Sequence, residues 1–169
     1  MLKRQTLTNY FLIAAVMIFF VNCKKESVTK DFSFEQYFTL SIEQNDFFAQ
    51  IAISKQEQSQ GLMFRNNLDK NHGMLFAFED SQKVSFWMKN VSIPLDIGYF
   101  DSNGRLIEIH ELYPYDEKPV FSKSNNIQYA LEMKQGWFHR NKIRTGNYLN
   151  LEKAIKHIQM RKYFQNFKD

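Results

Sequence analysis

From residue 34 onward the chain alternates. Phe38, Leu40 and Ile42 lie to one side of Thr39, Ser41 and Glu43, and Phe47, Ala49, Ile51 and Ile53 repeat the spacing, which is the period of strands with one face turned to an apolar interior. Ser54-Lys55-Gln56-Glu57 interrupts the alternation with a capping box, in which the serine oxygen accepts from a helical N–H while the glutamate reaches back to the serine N–H. A short helix is predicted over 55–61. Further strands are predicted over 74–78, 84–89, 95–100, 105–112 and 127–133, each bounded by Asn, Asp, Gly or Pro. Many short strands with little helix between them predict a mainly β domain, an antiparallel sandwich or barrel with one or two short helices and a C-terminal helical extension. A parallel α/β fold would need crossover helices, which the pattern does not supply.

Asp101-Ser102-Asn103-Gly104-Arg105 joins two of these strands. A two-residue turn at Asn103-Gly104 would put Asp96, Gly98 and Phe100 on one face with Ile107, Ile109 and Glu111. A three-residue loop with Gly104 at positive φ instead sets Leu95, Ile97 and Tyr99 against Glu111, Ile109 and Ile107, and Asp96 against His110. The second register separates an apolar face from a polar one and is the one expected of a sheet with a single wet side.

Two segments flank the domain. At the N-terminus Lys3 and Arg4 precede an apolar run over 11–21 and then Cys23. The run is about half the ~20 residues that a bilayer-spanning helix needs, and its order is that of a secretory signal. It resembles bacterial lipoprotein signals, with Asn22 where the commonest lipobox has Gly or Ala. The resemblance implies cleavage before Cys23 and a lipid anchor on that residue. Cys23 is the single cysteine of the chain and therefore makes no internal disulfide. The expected organisation is a signal peptide at 1–22, a lipidated cysteine and polar tether at 23–33, the β domain at 34–150 and a basic helical tail at 151–169. The protein is expected to be exported and held to a membrane of the cell envelope, facing the periplasm or the surface.

In the tail, Leu151, Ala154, Ile155 and Ile158 form a stripe at helical spacing that Met160, Tyr163, Phe164 and Phe167 leave, so a bent or interrupted helix is predicted. Lys153, Lys156, Arg161, Lys162 and Lys168 outnumber Glu152 and Asp169. Such a helix packs on the domain with its charges in water or lies on an anionic bilayer, and the first is preferred. Without residues 1–22, which hold Lys3 and Arg4, the 22 basic residues fall to 20 against 18 acidic ones, which is close to balance and implies no nucleic-acid partner.

Several motifs follow in order: Gly61-Leu62-Met63-Phe64-Arg65, Gly73-Met74-Leu75-Phe76, Phe86-Trp87-Met88-Lys89-Asn90, Ile93-Pro94-Leu95-Asp96-Ile97, and Leu131-Glu132 with Gly136-Trp137. Their order and spacing closely resemble the family called domain of unknown function 192, from about Ile51 to Asn147. The resemblance implies a small, mainly β, often exported domain, and it implies no activity. The family pattern often ends in Gly-Asp where this chain has Gly146-Asn147. The tail lies beyond the resemblance.

Within these motifs, alternation over 84–89 puts Trp87 and Lys89 on one face, where an indole and an ammonium can grip a flat or anionic ligand. Asn90 adds a two-way hydrogen bonder and Arg65 a planar fork for carboxylates or phosphates. A bend at Pro94 would bring Asp96 to them, and Glu132 would close the group. The candidate ligand site is therefore Arg65, Trp87, Lys89, Asn90, Asp96 and Glu132. The same residues serve the fold alone if Lys89 or Arg65 pairs with Asp96 or Glu132, Asn90 braces a loop and Trp87 is core, since buried charges need partners in any case. The loop Tyr113-Pro114-Tyr115 either rims a groove or packs on the sheet.

Motifs for an activated cysteine, a serine elbow, a phosphate loop or a zinc pair are missing, and His72, His110, His139 and His157 stand singly. Neither a cofactor nor a metal is implied. The preferred reading is a binding module for a small ligand or an envelope partner. One alternative is a hydrolase of an envelope glycan or peptide with Asp96 and Glu132 as acid and base and His110 tuning Asp96. Another is a structural or interaction protein.

Overall fold

The computed structural model describes residues 33–165. The expected signal peptide and Cys23 lie outside the described residues. Eight strands and three helices follow in the order β1 (Phe38–Ile42), β2 (Asn45–Ala52), α1 (Lys55–Gln60), β3 (His72–Gln82), β4 (Ser85–Phe86), β5 (Leu95–Phe100), β6 (Leu106–Leu112), β7 (Val120–Phe121), β8 (Ile127–Lys134), α2 (Trp137–Arg140) and α3 (Leu151–Gln165). Six strands form one open sheet in the order β1-β2-β3-β8-β5-β6, and β4 pairs with β7 in a small second sheet. The mainly β, sandwich-like class expected from the alternation is the one observed. One pairing departs from it: β2 and β3 run parallel, while the other pairs in both sheets are antiparallel. The capping-box helix is itself the crossover that a parallel pair requires. Its box is complete, with Ser54 Oγ accepting from the Glu57 N–H and Glu57 accepting from the Ser54 N–H.

The large sheet is covered on both faces. One face carries Leu40, Phe47, Ile51, Leu75, Leu131, Met133 and Phe100, and packs against Trp137 and Phe138 of α2 and Ala154 and Ile158 of α3. The other carries Ala52, Met74, Phe76, Ala130, Ile97 and Tyr99, and packs against Leu62, Leu68, Val84, Met88, Val91 and Ile93. These are called the helix face and the flap face below. The flap, built around β4 and β7, is fastened to the sheet by the Tyr99 hydroxyl, which donates to the Val120 carbonyl at 3.0 Å. Gly98 gives the helix face room for α2, since a Cβ there would come within 2.9 Å of the Phe138 ring.

Double coverage overturns the expected register of β5 and β6. Gly104 does adopt positive φ, at 77°, and Asp101 pairs with Arg105 across a three-residue loop. Phe100 then faces Leu106, but the ladder shifts between Tyr99 and Phe100, so Asp96 stands opposite Glu111 and Ile97 opposite His110. A bulge adds one residue to β6 and reverses its alternation. The shift is tolerated because β5 is buried at all six positions, so no wet face selects between the two registers.

α3 is continuous from Leu151 to Gln165, without the expected interruption. The positions it turns inward include Leu151, Ala154, Ile158, Arg161 and Gln165, a three-four repeat in which two polar side chains continue the apolar stripe. Arg161 is 1% exposed. Its guanidinium pairs with Glu57 and donates to the Ile51 carbonyl, and Gln165 donates to the same Glu57 oxygen at 3.0 Å. The tail thus packs on the domain, with Lys153 held by Asp46 at 3.0 Å and Lys156 and Lys162 in water.

Removing one member of a buried ion pair leaves the other uncompensated. Arg161→Ala is expected to lower the unfolding free energy by about 3 kcal/mol in urea titration, whereas Lys156→Ala changes it by less than about 0.5 kcal/mol.

Candidate functional site

Alternation along β8 sends Leu131 and Met133 to the helix face and Ala130 and Glu132 to the flap face. Glu132 stands between Met74 of β3 and Ile97 of β5, in the middle of the sheet and 4% exposed. Among the described residues no hydrogen bond or ion pair reaches its carboxyl group. Burial alone pushes its pKa from 4.5 up to about 8. Such a group is predominantly a neutral acid at pH 7, able both to donate and to accept a hydrogen bond.

Glu132 opens into a recess of about 30 Å³ bounded by Gln58, Ser59, Gly61, Leu62 and Met63 on one side and by Phe76, Phe86, Trp87 and Val91 on the other. The recess shares Gln58, Ser59, Phe76, Phe86 and Trp87 with a wider groove of about 430 Å³. Lys55, Phe78, Lys83 and Ser85 continue that groove outward between α1 and β4. The sequence builds these walls locally. α1 ends at Gly61, whose φ of 48° turns the chain so that Leu62 and Met63 enter the flap side. Phe64 follows at a φ of 64° and is 75% exposed. Its N–H donates to the Asn90 carbonyl at 2.8 Å, tying the two loops that flank Trp87.

Of the six residues expected to form the site, the structure brings two together, Trp87 and Glu132. Lys89 joins them from outside, its Nζ lying 5.2 Å from the centre of the Trp87 ring. Asn90 is exposed at a φ of 57°, a conformation that asparagine tolerates well, and it serves the loop through its carbonyl. Arg65 pairs with Glu35 at 3.1 Å and Glu35 also holds Gln50 at 3.0 Å, so the guanidinium does not line the recess. Asp96 lies on the helix face. It accepts from the Gly136 N–H at 2.7 Å, fixing the turn into α2, and burial, opposed by that bond, raises its pKa.

Asp96 and Glu132 therefore point to opposite sides of the sheet, and no acid–base pair forms between them. His110 does not tune Asp96 either. It pairs with Glu108 at 2.8 Å, where burial is outweighed by the bonds from His110 and from the Lys123 and Ser124 N–H groups, so that the Glu108 pKa is lowered. Among the described residues no group of three or more His, Cys, Asp or Glu is placed to hold a metal. Tyr113 and Tyr115 are exposed, and Tyr113 lines a separate hollow of about 240 Å³ on the far side of Trp87.

The walls that sequence reading missed are Gln58, Ser59, Met63, Phe76 and Phe86. Met63, Phe76 and Phe86 sit inside the motifs of the family resemblance, yet as apolar residues they read as core. Gln58 and Ser59 follow a capping box and read as the exposed side of a short helix.

The model of a family described as "Uncharacterized ACR", DUF192, matches residues 38–151. A "putative transcription regulator" from Sinorhizobium meliloti 1021 shares this fold at 30% identity and a TM-score of 0.63, with 68% of this chain and 91% of that one aligned. A protein of unknown function from Novosphingobium aromaticivorans DSM 12444 aligns at 30% identity and a TM-score of 0.61, over 68% of this chain and 83% of that one. No curated protein matches.

The raised pKa of Glu132 makes stability depend on pH. Between the unfolded value of 4.5 and the folded value of about 8 the native state holds a proton that the unfolded chain has lost, so stability falls as pH rises through this window. The full shift corresponds to a loss on the order of 5 kcal/mol. Thermal unfolding is expected to show a melting temperature that declines by roughly 10 °C from pH 5 to pH 8.5, and a Glu132→Gln variant in which most of that decline is gone.

Proposed function

The chain belongs to the DUF192 family, and on that footing we propose that it is a small-ligand binding module of the cell envelope, with the groove between α1 and β4 as its site. The observation that carries this reading is Glu132, a carboxyl group without a protein partner among the described residues at the closed end of a groove walled by Trp87. A carboxyl group buried for the sake of the fold is normally hydrogen-bonded or ion-paired. This one is open to a small guest instead. The inner walls are aromatic, from Phe76, Phe86 and Trp87, while Lys55, Gln58, Ser59, Gln82, Lys83 and Ser85 make much of the rest of the groove polar; a deep polar group beside aromatic walls is common in ligand pockets. Binding is favoured over catalysis because the one other sequence-predicted carboxylate, Asp96, faces away and leaves Glu132 without a reacting partner.

Placement at the envelope is part of the same proposal and rests on Lys3, Arg4, the apolar run over 11–21 and the lone Cys23. Lipid on Cys23 would hold the domain near a membrane through a short polar tether. Metabolic labelling with a radioactive fatty acid is expected to mark the wild-type chain and not Cys23→Ala. A labelled Cys23→Ala chain would remove the lipid anchor from this reading.

A panel of metabolites and glycan fragments is expected to contain compounds that raise the melting temperature, because binding to the native state stabilises it. Trp87 is 44% exposed, so Trp87→Ala is expected to keep its melting temperature within about 3 °C of wild type while losing the ligand-induced rise. A ligand whose effect survives Trp87→Ala unchanged binds elsewhere and counts against the groove.

A further inference from the structure

Resting on the groove as the binding site, we propose that the recess takes an ammonium group: a primary or methylated alkylamine enters with its cationic head against Glu132 and lays its chain along the groove over Phe76 and Phe78. Three observations lead there. A carboxylate buried away from water attracts a cation strongly, and no cation among the described residues pairs with Glu132. Arg65 is held by Glu35, Lys134 reaches the Leu68 carbonyl at 3.3 Å, and Lys89 lies over Trp87.

The walls also suit such a guest. Phe76, Phe86 and Trp87 surround the recess, and aromatic faces attract ammonium groups through their negative quadrupole, most strongly when water is excluded. Met63 adds a polarisable thioether. That Lys89 rests on the indole of Trp87 shows this ring already holding one ammonium.

Size and ligand number supply the third observation. The recess, at about 30 Å³, has room for one compact head and opens directly into the wider groove. A hard metal ion would require six or more oxygen ligands, and Glu132 stands alone. An anion would be repelled by the ionised form of Glu132 that an ammonium stabilises.

An ammonium against Glu132 stabilises its charged form, so binding is coupled to loss of its proton. The charged and titratable groups around it do not compete in this role. Tyr99 of β5 donates its hydroxyl to the flap, Glu108 and His110 of β6 satisfy each other, and β3 presents Met74 and Phe76. Lys134 of β8 is bound as described. Lys55 of α1 and Lys83 beside β4 line only the outer groove, with Lys83 lying over Phe121 at 5.8 Å.

The test uses the purified full chain carrying glutamate labelled with ¹³C at the side-chain carboxyl, so that NMR follows the titration of Glu132, assigned by its absence in Glu132→Gln. The probes are n-butylammonium chloride, n-butyltrimethylammonium chloride, n-butanol and sodium butyrate at equal concentration and ionic strength. At least one ammonium salt is expected to lower the Glu132 midpoint by roughly one pH unit or more, and butanol and butyrate are expected to leave it in place. Glu132→Gln is expected to bind that ammonium at least about tenfold more weakly while remaining folded by circular dichroism, and Trp87→Ala to weaken it as well. If butanol binds as tightly as butylammonium and Glu132→Gln retains both, the ammonium proposal is overturned while the groove remains a ligand site. If neither ammonium salt shifts the midpoint, the proposal is also overturned, and the metabolite panel decides the wider reading independently.

Discussion

β8 runs through the middle of the sheet, where both faces are covered, and this constraint shapes the rest of the molecule. From Tyr129 to Met133 every side chain on that strand enters one of two packed layers, so its alternation distributes chemistry as well as hydrophobic bulk. Leu131 and Met133 supply the layer under α2 and α3. Ala130 and Glu132 supply the layer under the flap, and the small alanine beside the glutamate lets the rings of Phe76 and Tyr99 close in on either side. In a one-sided sheet Glu132 would point to water and titrate as an ordinary carboxylate. Here the flap built from β4, β7 and the loops around Trp87 turns the same position into a secluded acid.

The wall opposite Trp87 depends on a second buried charge. Glu57 uses one carboxylate oxygen to accept the Ile53 and Ser54 N–H groups, at 2.9 and 3.1 Å, and the other to pair with Arg161 and accept from Gln165. One side chain therefore starts α1, ends the tail's inward stripe and fixes the helix whose next residues, Gln58 and Ser59, border the recess. Gln58 adds its own brace, donating to the Ala77 carbonyl at 2.9 Å. A six-residue helix has little stability of its own, so the position of this wall is set by tertiary contacts that begin in the C-terminal helix.

Much of this architecture was legible in the chain. Alternation located the long strands, and the capping box located α1 because both rest on local geometry that a sequence records directly. Legibility failed where long-range packing decides. The register of β5 was judged by which face would be wet, a criterion that loses its force once both faces are buried, and the bulge next to Phe100 then reversed the pairing. Arg161 was counted with the solvated charges of the tail because nothing near it in sequence reveals that Glu57 and the Ile51 carbonyl await it. At the site, Trp87 and Glu132 both border the recess, but the bend expected at Pro94 does not carry Asp96 to them. The period of two rules this out, because Asp96 pairs with Met133 and Ile97 with Glu132, which places the two carboxylates on opposite faces.

That separation also sharpens the physical difference between the two acids. Asp96 fixes the backbone at Gly136, so its burial is offset by a hydrogen bond and its role within the fold is complete. Glu132 has no such partner among the described residues. Leucine or methionine at that position would bury without any cost of protonation or desolvation, and replacing buried ionisable groups by apolar ones of similar volume is often neutral or stabilising. The contribution of a glutamate there to folding is therefore unfavourable near neutral pH, and the proposed guest, bringing a complementary charge or hydrogen bond, would offset it. On the proposed reading, stability and occupancy of the groove would be two readouts of one carboxyl group.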